Sequence, residues 1–354
     1  MFKYPFSFRE DPKHEINGSL ELDNPLPSPQ GTQGSALFRT GRIQLESGPA
    51  LELVLYHNQA TSEFIYLHKN PLDRTLLDLV GLPAEALAGK KSVILPGQLC
   101  MGSRRAKLIG GAIDDLFTAP ILQEVLTTRK QHNIAIFPIA REGLKYGVAE
   151  AIFQTRGYYC DEVLLDAHHV FDSSVPVYNR KVELGIFKDK DLDPVQHENI
   201  TAAFIADSIA SGLVMKEVIS HIRKRFDHTE HVEVISPLAT IRGLCRLASA
   251  NTIGRSIIRV HVFETLLNAL PPDYYYSAHF SEPEIHIRPD LEKDYRTWWG
   301  RDGQGNEIAA TACAGYGWSE VFYSPRKQVE MINGELRSRH NLTIADIVLR
   351  NNPN

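Results

Sequence analysis

Cysteine is scarce in this chain of 354 residues: four, at Cys100, Cys160, Cys245 and Cys313, none in C-x-x-C spacing. That argues against a disulfide framework or a cysteine zinc cluster, and free thiols suit a cytoplasmic protein. No apolar run approaches the ~20 residues of a membrane helix. The opening stretch, MFKYPFSFREDPKHE, lacks the apolar segment of a secretory signal. Positive charge is not in excess either. A formal net charge of -5 argues against a nucleic-acid backbone as partner and leaves room for a small phosphorylated ligand in a local pocket of donors. Adjacent His168 and His169 point in different directions on a helix or a strand, so with Asp166 they are not expected to hold a metal. What is present is apolar material, 43% of residues, which supports a packed core in one large or two modest domains.

Residues 1–35, rich in Pro, Gly, Asn and Ser, read as an extended arm. Residues 36–57 read as a hairpin, and 71–90 as two short helices broken near Gly81 and Pro83. After the loop PGQLCMGSRR, a helix is expected around 118–131. From His132 the pattern changes. Apolar strands NIAIFPIA (133–140), TAAFIAD (201–207), HVEVISP (231–237) and SIIRVHVF (256–263) are each followed by a turn and a helical segment. Four strand–turn–helix units predict an α/β fold, a parallel sheet with helices on both faces. Functional residues then belong in the turns at the carboxyl ends of the strands. The expected division is an N-terminal extension at 1–115, a core at 116–270 and a C-terminal region at 271–354.

The turn after the second of these strands is the most informative. Asp207 closes the strand, and Ser208, Ile209, Ala210, Ser211 and Gly212 lead into a helix opened by Leu213 and Val214. Backbone N–H groups in such a turn converge, and the helix dipole adds positive potential, which suits a phosphate monoester. An ordinary capped turn has the same outline. Asp207 can serve ribose hydroxyls or magnesium. The segment resembles the phosphoribosyl-pyrophosphate loop of phosphoribosyltransferases, with Ala210-Ser211-Gly212 on its Ala-Thr-Gly core and Asp207 on its second acidic position. It departs at Ala206, where the first acid is expected, and at Leu213 and Val214.

Two further stretches carry the resemblance. RKVELGIFKDKDLDPV (180–195) is similar to the arm that closes over the reacting centre in uracil phosphoribosyltransferases. Its Arg180, Lys181 and Lys188 can bring cations to a leaving pyrophosphate. Pro138 to Leu144 is similar to the family's pyrophosphate turn, with Arg141 and Gly143 in place and Glu142 unusual, because a carboxylate repels pyrophosphate. The likeness continues into SPLATIRGL at 236–244. It implies a type I phosphoribosyltransferase-like fold and a cytoplasmic homodimer that transfers phosphoribosyl from phosphoribosyl pyrophosphate to a planar heterocyclic acceptor. On that implication Asp207, Arg180 and Lys188 are catalytic. Arg141, Glu142, Gly143 and residues 208–214 bind the donor, and Mg2+ enters with pyrophosphate, met by Asp207.

The family's uracil-reading C-terminal segment is missing. Its place holds an aromatic-rich stretch, including Tyr276, Trp298 and Trp299, whose rings can stack on a flat acceptor or fill a second core. Uracil is therefore not the expected acceptor. The departures in the loop equally suit a non-catalytic, nucleotide-sensing relative.

Overall fold

The computed structural model describes all residues except 1, 12–13, 28–35, 47, 49, 84, 101, 141, 171, 173, 175–180, 187–198, 252–255, 268–284, 310–323 and 353–354. For 8–11, 14, 98, 169, 285 and 325 the backbone alone is described. The chain forms two compact units, residues 1–59 with 109–287 and residues 60–108 with 288–354. The expected three consecutive regions give way to this interleaving because the first strands pair with the core rather than standing apart.

In chain order the strands are β1 (Phe2–Asp11), β2 (His14–Leu22), β3 (Leu26–Pro27), β4 (Leu37–Leu45) and β5 (Leu51–His57). Next come β6 (Leu67–Pro71), β7 (Ser92–Pro96), β8 (Ile134–Pro138), β9 (Asp161–Glu162), β10 (Leu165–His169) and β11 (Val182–Ile186). The last are β12 (Ala202–Ala206), β13 (His231–Ser236), β14 (Ile257–Phe263), β15 (Thr265–Leu266) and β16 (Ile285–His286).

The first unit is an α/β structure on one large, mostly parallel sheet, ordered β1-β2-β4-β5-β14-β13-β12-β8-β9 with β3 beside β4. Neighbours from β5 to β9 are parallel, and those from β1 to β5 antiparallel. Strands β8 and β12 are buried along their whole length, as central parallel strands covered on both faces must be. Helices Leu213–Arg225 and Ile241–Ala250 supply Met215, Val218, Ile222, Leu244 and Leu247 to the core beneath them. The expected arm at the N-terminus is instead the hairpin β1–β2. Alternation of Phe2, Tyr4 and Phe6 with polar residues outweighs Pro5, which an edge strand tolerates. A helix also runs from Gly102 to Phe117 through Gly110 and Gly111, because Ile109, Ala112, Ile113 and Leu116 bury one face at helical spacing.

In the second unit β6 and β7 pair, and helices Arg74–Val80, Pro289–Trp299, Pro325–His340 and Ile344–Asn351 close a separate core. Trp298 and Trp299 belong to that core. Trp299 is fully buried, and the Trp298 indole donates to the Ile94 carbonyl at 3.2 Å. With their rings packed inside, the two tryptophans have no face to offer a stacking acceptor, which corrects the acceptor-binding role expected for them.

One face of the first unit's sheet carries charges that alternate from strand to strand. Lys3, Glu21, Arg42, Glu52, Arg259 and Glu233 stand opposite one another in register on β1, β2, β4, β5, β14 and β13. Lys3 and Arg42 pair with Glu21 at 2.9 and 2.7 Å, and Arg259 spans Glu52 and Glu233 at 2.7 and 2.8 Å. In the outer pairs the Lys3 and Arg42 cations are exposed to solvent, which weakens them. The inner end is different, because Glu233 is fully buried and also meets His261 at 2.7 Å. Burial pushes the Glu233 carboxyl up, but the imidazoles of His231 and His261 and the Arg259 guanidinium outweigh it and bring it down to about 2. A lowered folded-state value stabilises the fold above the unfolded value of 4.5, and that contribution disappears as pH falls toward about 2. It amounts to roughly 3 kcal/mol at neutral pH. Urea unfolding across this acid range should therefore show a steeper loss of stability in the wild type than in Glu233→Gln. Parallel slopes for the two proteins would show that this carboxylate carries no such linkage.

Candidate functional site

Parallel strands share a direction, so the turns after β5, β8, β12, β13 and β14 leave the sheet along one edge. Two of these turns and the helix after β13 make close contacts through glycines. A Cβ on Gly143 would lie 2.0 Å from the Ala206 carbonyl oxygen, which also accepts from the Ile139 N–H at 3.2 Å. A Cβ on Gly212 would lie 2.6 Å from the Gly243 oxygen, and one on Gly243 would lie 2.5 Å from the Ala210 oxygen. Gly212 also has φ of +76°, a conformation that other residues rarely adopt. The turn after β8 is thus seated on the end of β12, and the turn after β12 on the helix that follows β13.

The turn at 207–212 has its carbonyls engaged from one side. Ile209 oxygen accepts from the Thr240 N–H at 3.0 Å, Ala210 oxygen from the Thr240 hydroxyl at 2.6 Å, and Ser211 oxygen from the Arg246 guanidinium. Thr240 also caps its own helix by accepting from the Gly243 N–H at 2.9 Å. The Ile209 N–H is used on Leu238 oxygen at 2.8 Å, and the Leu213 N–H meets the Ser211 hydroxyl at 3.3 Å. Among the described residues, no acceptor takes the N–H groups of Ala210, Ser211 and Gly212. Unpaired amides at the start of a helix, with the buried Arg246 bonded to the same turn, form an environment for an anion.

Glu142 joins the same turn. It is 5% exposed, and its Oε2 accepts from the Ser208 hydroxyl at 3.0 Å and from the Tyr146 hydroxyl at 3.3 Å. The two hydroxyls lie 2.7 Å apart. Sequence reasoning expected Glu142 beside pyrophosphate and missed this link to Ser208. Further along the edge is another pair the sequence reading missed. His57 Nδ1 lies 2.7 and 2.9 Å from the two carboxylate oxygens of Glu264, both residues being buried. Glu264 holds φ of +60°, a strained conformation that persists only where the surroundings enforce it. Nearby, Asn58 donates to Asp115 at 2.8 Å, and burial followed by the charge of Asp115 holds the Tyr56 phenol above its usual range. The available signal was a polar residue directly after an apolar strand, Asn58 after β5 and Glu264 after β14.

The sequence-expected residues distribute as follows. Asp207, Ser208, Ile209, Ala210, Ser211, Gly212, Leu213 and Val214 form one strand-to-helix turn, with Glu142 and Gly143 against it. Arg180 and Lys188 flank β11, which pairs with β10 in a two-stranded ribbon; both lie outside the described residues, as do Arg141 and Tyr276. Among the described residues there is no group of three or more His, Cys, Asp or Glu suited to a metal, and no helix is long and apolar enough to cross a membrane. Cys100, Cys160 and Cys245 are buried free thiols, and burial pushes Cys100 up to about 11 and Cys160 to about 12, away from reactivity.

No protein-family model matches the chain, and no curated protein matches it. A crystal structure of a hypothetical protein from Neisseria gonorrhoeae with bound ppGpp aligns at 14% identity, covering 44% of this chain and 80% of that one, with a TM-score of 0.29. Likeness of that degree bears on neither the fold nor the ligands of this chain.

The glycine contacts have a direct consequence. Gly143→Ala is expected to cost about 1–3 kcal/mol, because the new methyl must displace a carbonyl. Gly110→Ala has nothing within 4 Å in its helix and should be neutral or stabilise by about 0.5–1 kcal/mol. Urea unfolding of both variants checks this, and equal effects would contradict the close seating of the turns.

Proposed function

We propose that the first unit binds a phosphoribosyl group and that the chain is a phosphoribosyltransferase-like enzyme. It would transfer the phosphoribosyl group of phosphoribosyl pyrophosphate to a planar heterocycle, with uracil not expected as the acceptor. The observation that carries this reading is the 207–212 turn, with carbonyls engaged by the neighbouring helix and the amides of Ala210, Ser211 and Gly212 left for a 5′-phosphate. Asp207, directly after β12, is the acid assigned to the ribose. The type I phosphoribosyltransferase arrangement belongs to the same proposal.

In the reaction the bond from the anomeric carbon to pyrophosphate breaks, its electron pair leaves with pyrophosphate, and a ring nitrogen of the acceptor forms the new bond while its proton passes to solvent. The protein's part is to position the reactants and stabilise the leaving anion. A single carboxylate such as Asp207 suits a magnesium ion that arrives with substrate phosphates, since Mg2+ is commonly held by one or two carboxylates and phosphate oxygens. Such an ion would offset the charge of pyrophosphate. Arg141, Arg180 and Lys188 are the cations assigned to the same anion.

Ala206 supports a second reading. It is fully buried in β12 at the place of the first acid, which suits a relative that binds the donor without turning it over. Thermal melting with phosphoribosyl pyrophosphate and magnesium, followed by an assay for released pyrophosphate, separates the two. Binding at a hundredfold excess over Kd should stabilise the protein by about 2.7 kcal/mol. Asp207→Asn should weaken the donor about tenfold or more while leaving inorganic phosphate bound. A wild type that shows no shift with the donor sinks both readings, and a shift without pyrophosphate release selects the non-catalytic one. Gly212 is a poor site for such a test, because any side chain there meets the Gly243 backbone.

A further inference from the structure

We infer that Glu142 supplies the ribose-binding carboxylate that β12 lacks, an assignment that rests on the phosphoribosyl reading of the 207–212 turn. In the resemblance, two successive acids close the strand; here the first place is Ala206, whose side chain is fully buried in the sheet. The neighbouring turn compensates. Its Ile139 N–H binds the Ala206 carbonyl at 3.2 Å, and Gly143 sits so close to that oxygen that a Cβ would be 2.0 Å away. This seating carries Glu142 across to the β12 turn, where its Oε2 takes the Ser208 hydroxyl at 3.0 Å. Ser208 directly follows Asp207, so Glu142 contacts the residue next to the acid that this turn carries.

The hydrogen bonds fix one half of the Glu142 carboxylate and leave the other half open. Tyr146 hydroxyl lies 2.7 Å from the Ser208 hydroxyl and 3.3 Å from Oε2, so a chain of hydroxyls anchors that oxygen. Oε1 is buried, and among the described residues it has no hydrogen-bond partner. A buried carboxylate oxygen without a donor is costly, and most such atoms in folded proteins find a partner. The missing partner must therefore be a donor. A phosphate oxygen would be repelled. A dedicated metal cage is not built here, since among the described residues no group of three or more His, Cys, Asp or Glu could hold a metal ion. A sugar hydroxyl supplies the needed hydrogen, and ribose presents two of them beside the phosphate that the turn amides would hold.

The test is calorimetric binding to the full chain, with four probes: ribose 5-phosphate, its 2-deoxy and 3-deoxy analogues, and inorganic phosphate. The wild type should bind ribose 5-phosphate about tenfold more tightly than at least one deoxy analogue, the loss expected for one charge-assisted hydrogen bond. Glu142→Gln should lose that discrimination while inorganic phosphate binds as before. Glu142→Asp, which keeps the charge but retracts it, should also lose most of the discrimination, and melting curves establish that each variant is folded. A wild type indifferent to both hydroxyls overturns the assignment even if the variants fail to fold. So does discrimination that persists in folded Glu142→Gln. If ribose 5-phosphate and phosphate both fail to bind the wild type, the phosphoribosyl reading itself fails, and this inference with it.

Discussion

The arrangement at the carboxyl edge depends on three residues having no side chain. Gly143, Gly212 and Gly243 let the turn after β8 approach β12, and the turn after β12 approach the helix after β13, to distances that a Cβ would forbid. Two of the contacts are made onto carbonyl oxygens that already accept hydrogen bonds, those of Ala206 and Ala210. Polar backbone therefore meets backbone without an intervening layer of apolar side chains. The geometry of each turn becomes a property of its neighbour. A change in one should be felt in the next, because packed interiors shift as units rather than yielding locally.

Beneath this edge the sheet must hold its register, since the turns inherit the strand positions. The charge ladder from Lys3 to Glu233 contributes to that. A slip of one residue between any two of its strands would turn every side chain of the shifted strand to the opposite face and set charges against the core of Leu20, Ile43, Leu53 and Val260. The buried end, where Arg259 and His261 converge on Glu233, is the most exacting part. A buried ion pair need not stabilise more than an apolar pair of the same size, but breaking one partner away is costly. It therefore acts against mispairing more than it adds net stability. It lies between β5 and β12, the strands that lead to Asn58 and Asp207.

The central part of this fold was readable because its signals are local. Continuous apolar runs such as AAFIA and IAIFP, each ending in a polar turn and a helix, are what fully covered parallel strands require. The 207–214 turn was readable for the same reason, as all its residues are contiguous. What was not readable was long-range. That β5 would run parallel to β14, drawing residues 1–59 into the same sheet, depends on pairing across some two hundred residues and leaves no mark in either strand alone. The link from Glu142 to Ser208 and the His57–Glu264 pair arise only once the strands are ordered. Trp298 and Trp299 mislead from sequence because an aromatic has the same signature in a core as at a ligand, and only burial separates the two.

The electrostatics of the edge divide a ligand into parts. Amides of Ala210, Ser211 and Gly212, with Arg246 on the Ser211 carbonyl, favour negative charge. Glu142, in contact with Ser208, and Asp207, next to it in sequence, disfavour it. A ligand that satisfied both must carry its anion at one end and hydroxyl donors or developing positive charge at the other. On the phosphoribosyl reading, the 5′-phosphate meets the amides and the sugar meets the carboxylates. When the bond to pyrophosphate stretches, the ring takes on positive charge. A carboxylate already fixed by Ser208 and Tyr146 can then stabilise that charge without reorganising, which is the condition under which electrostatic stabilisation of a transition state is most effective.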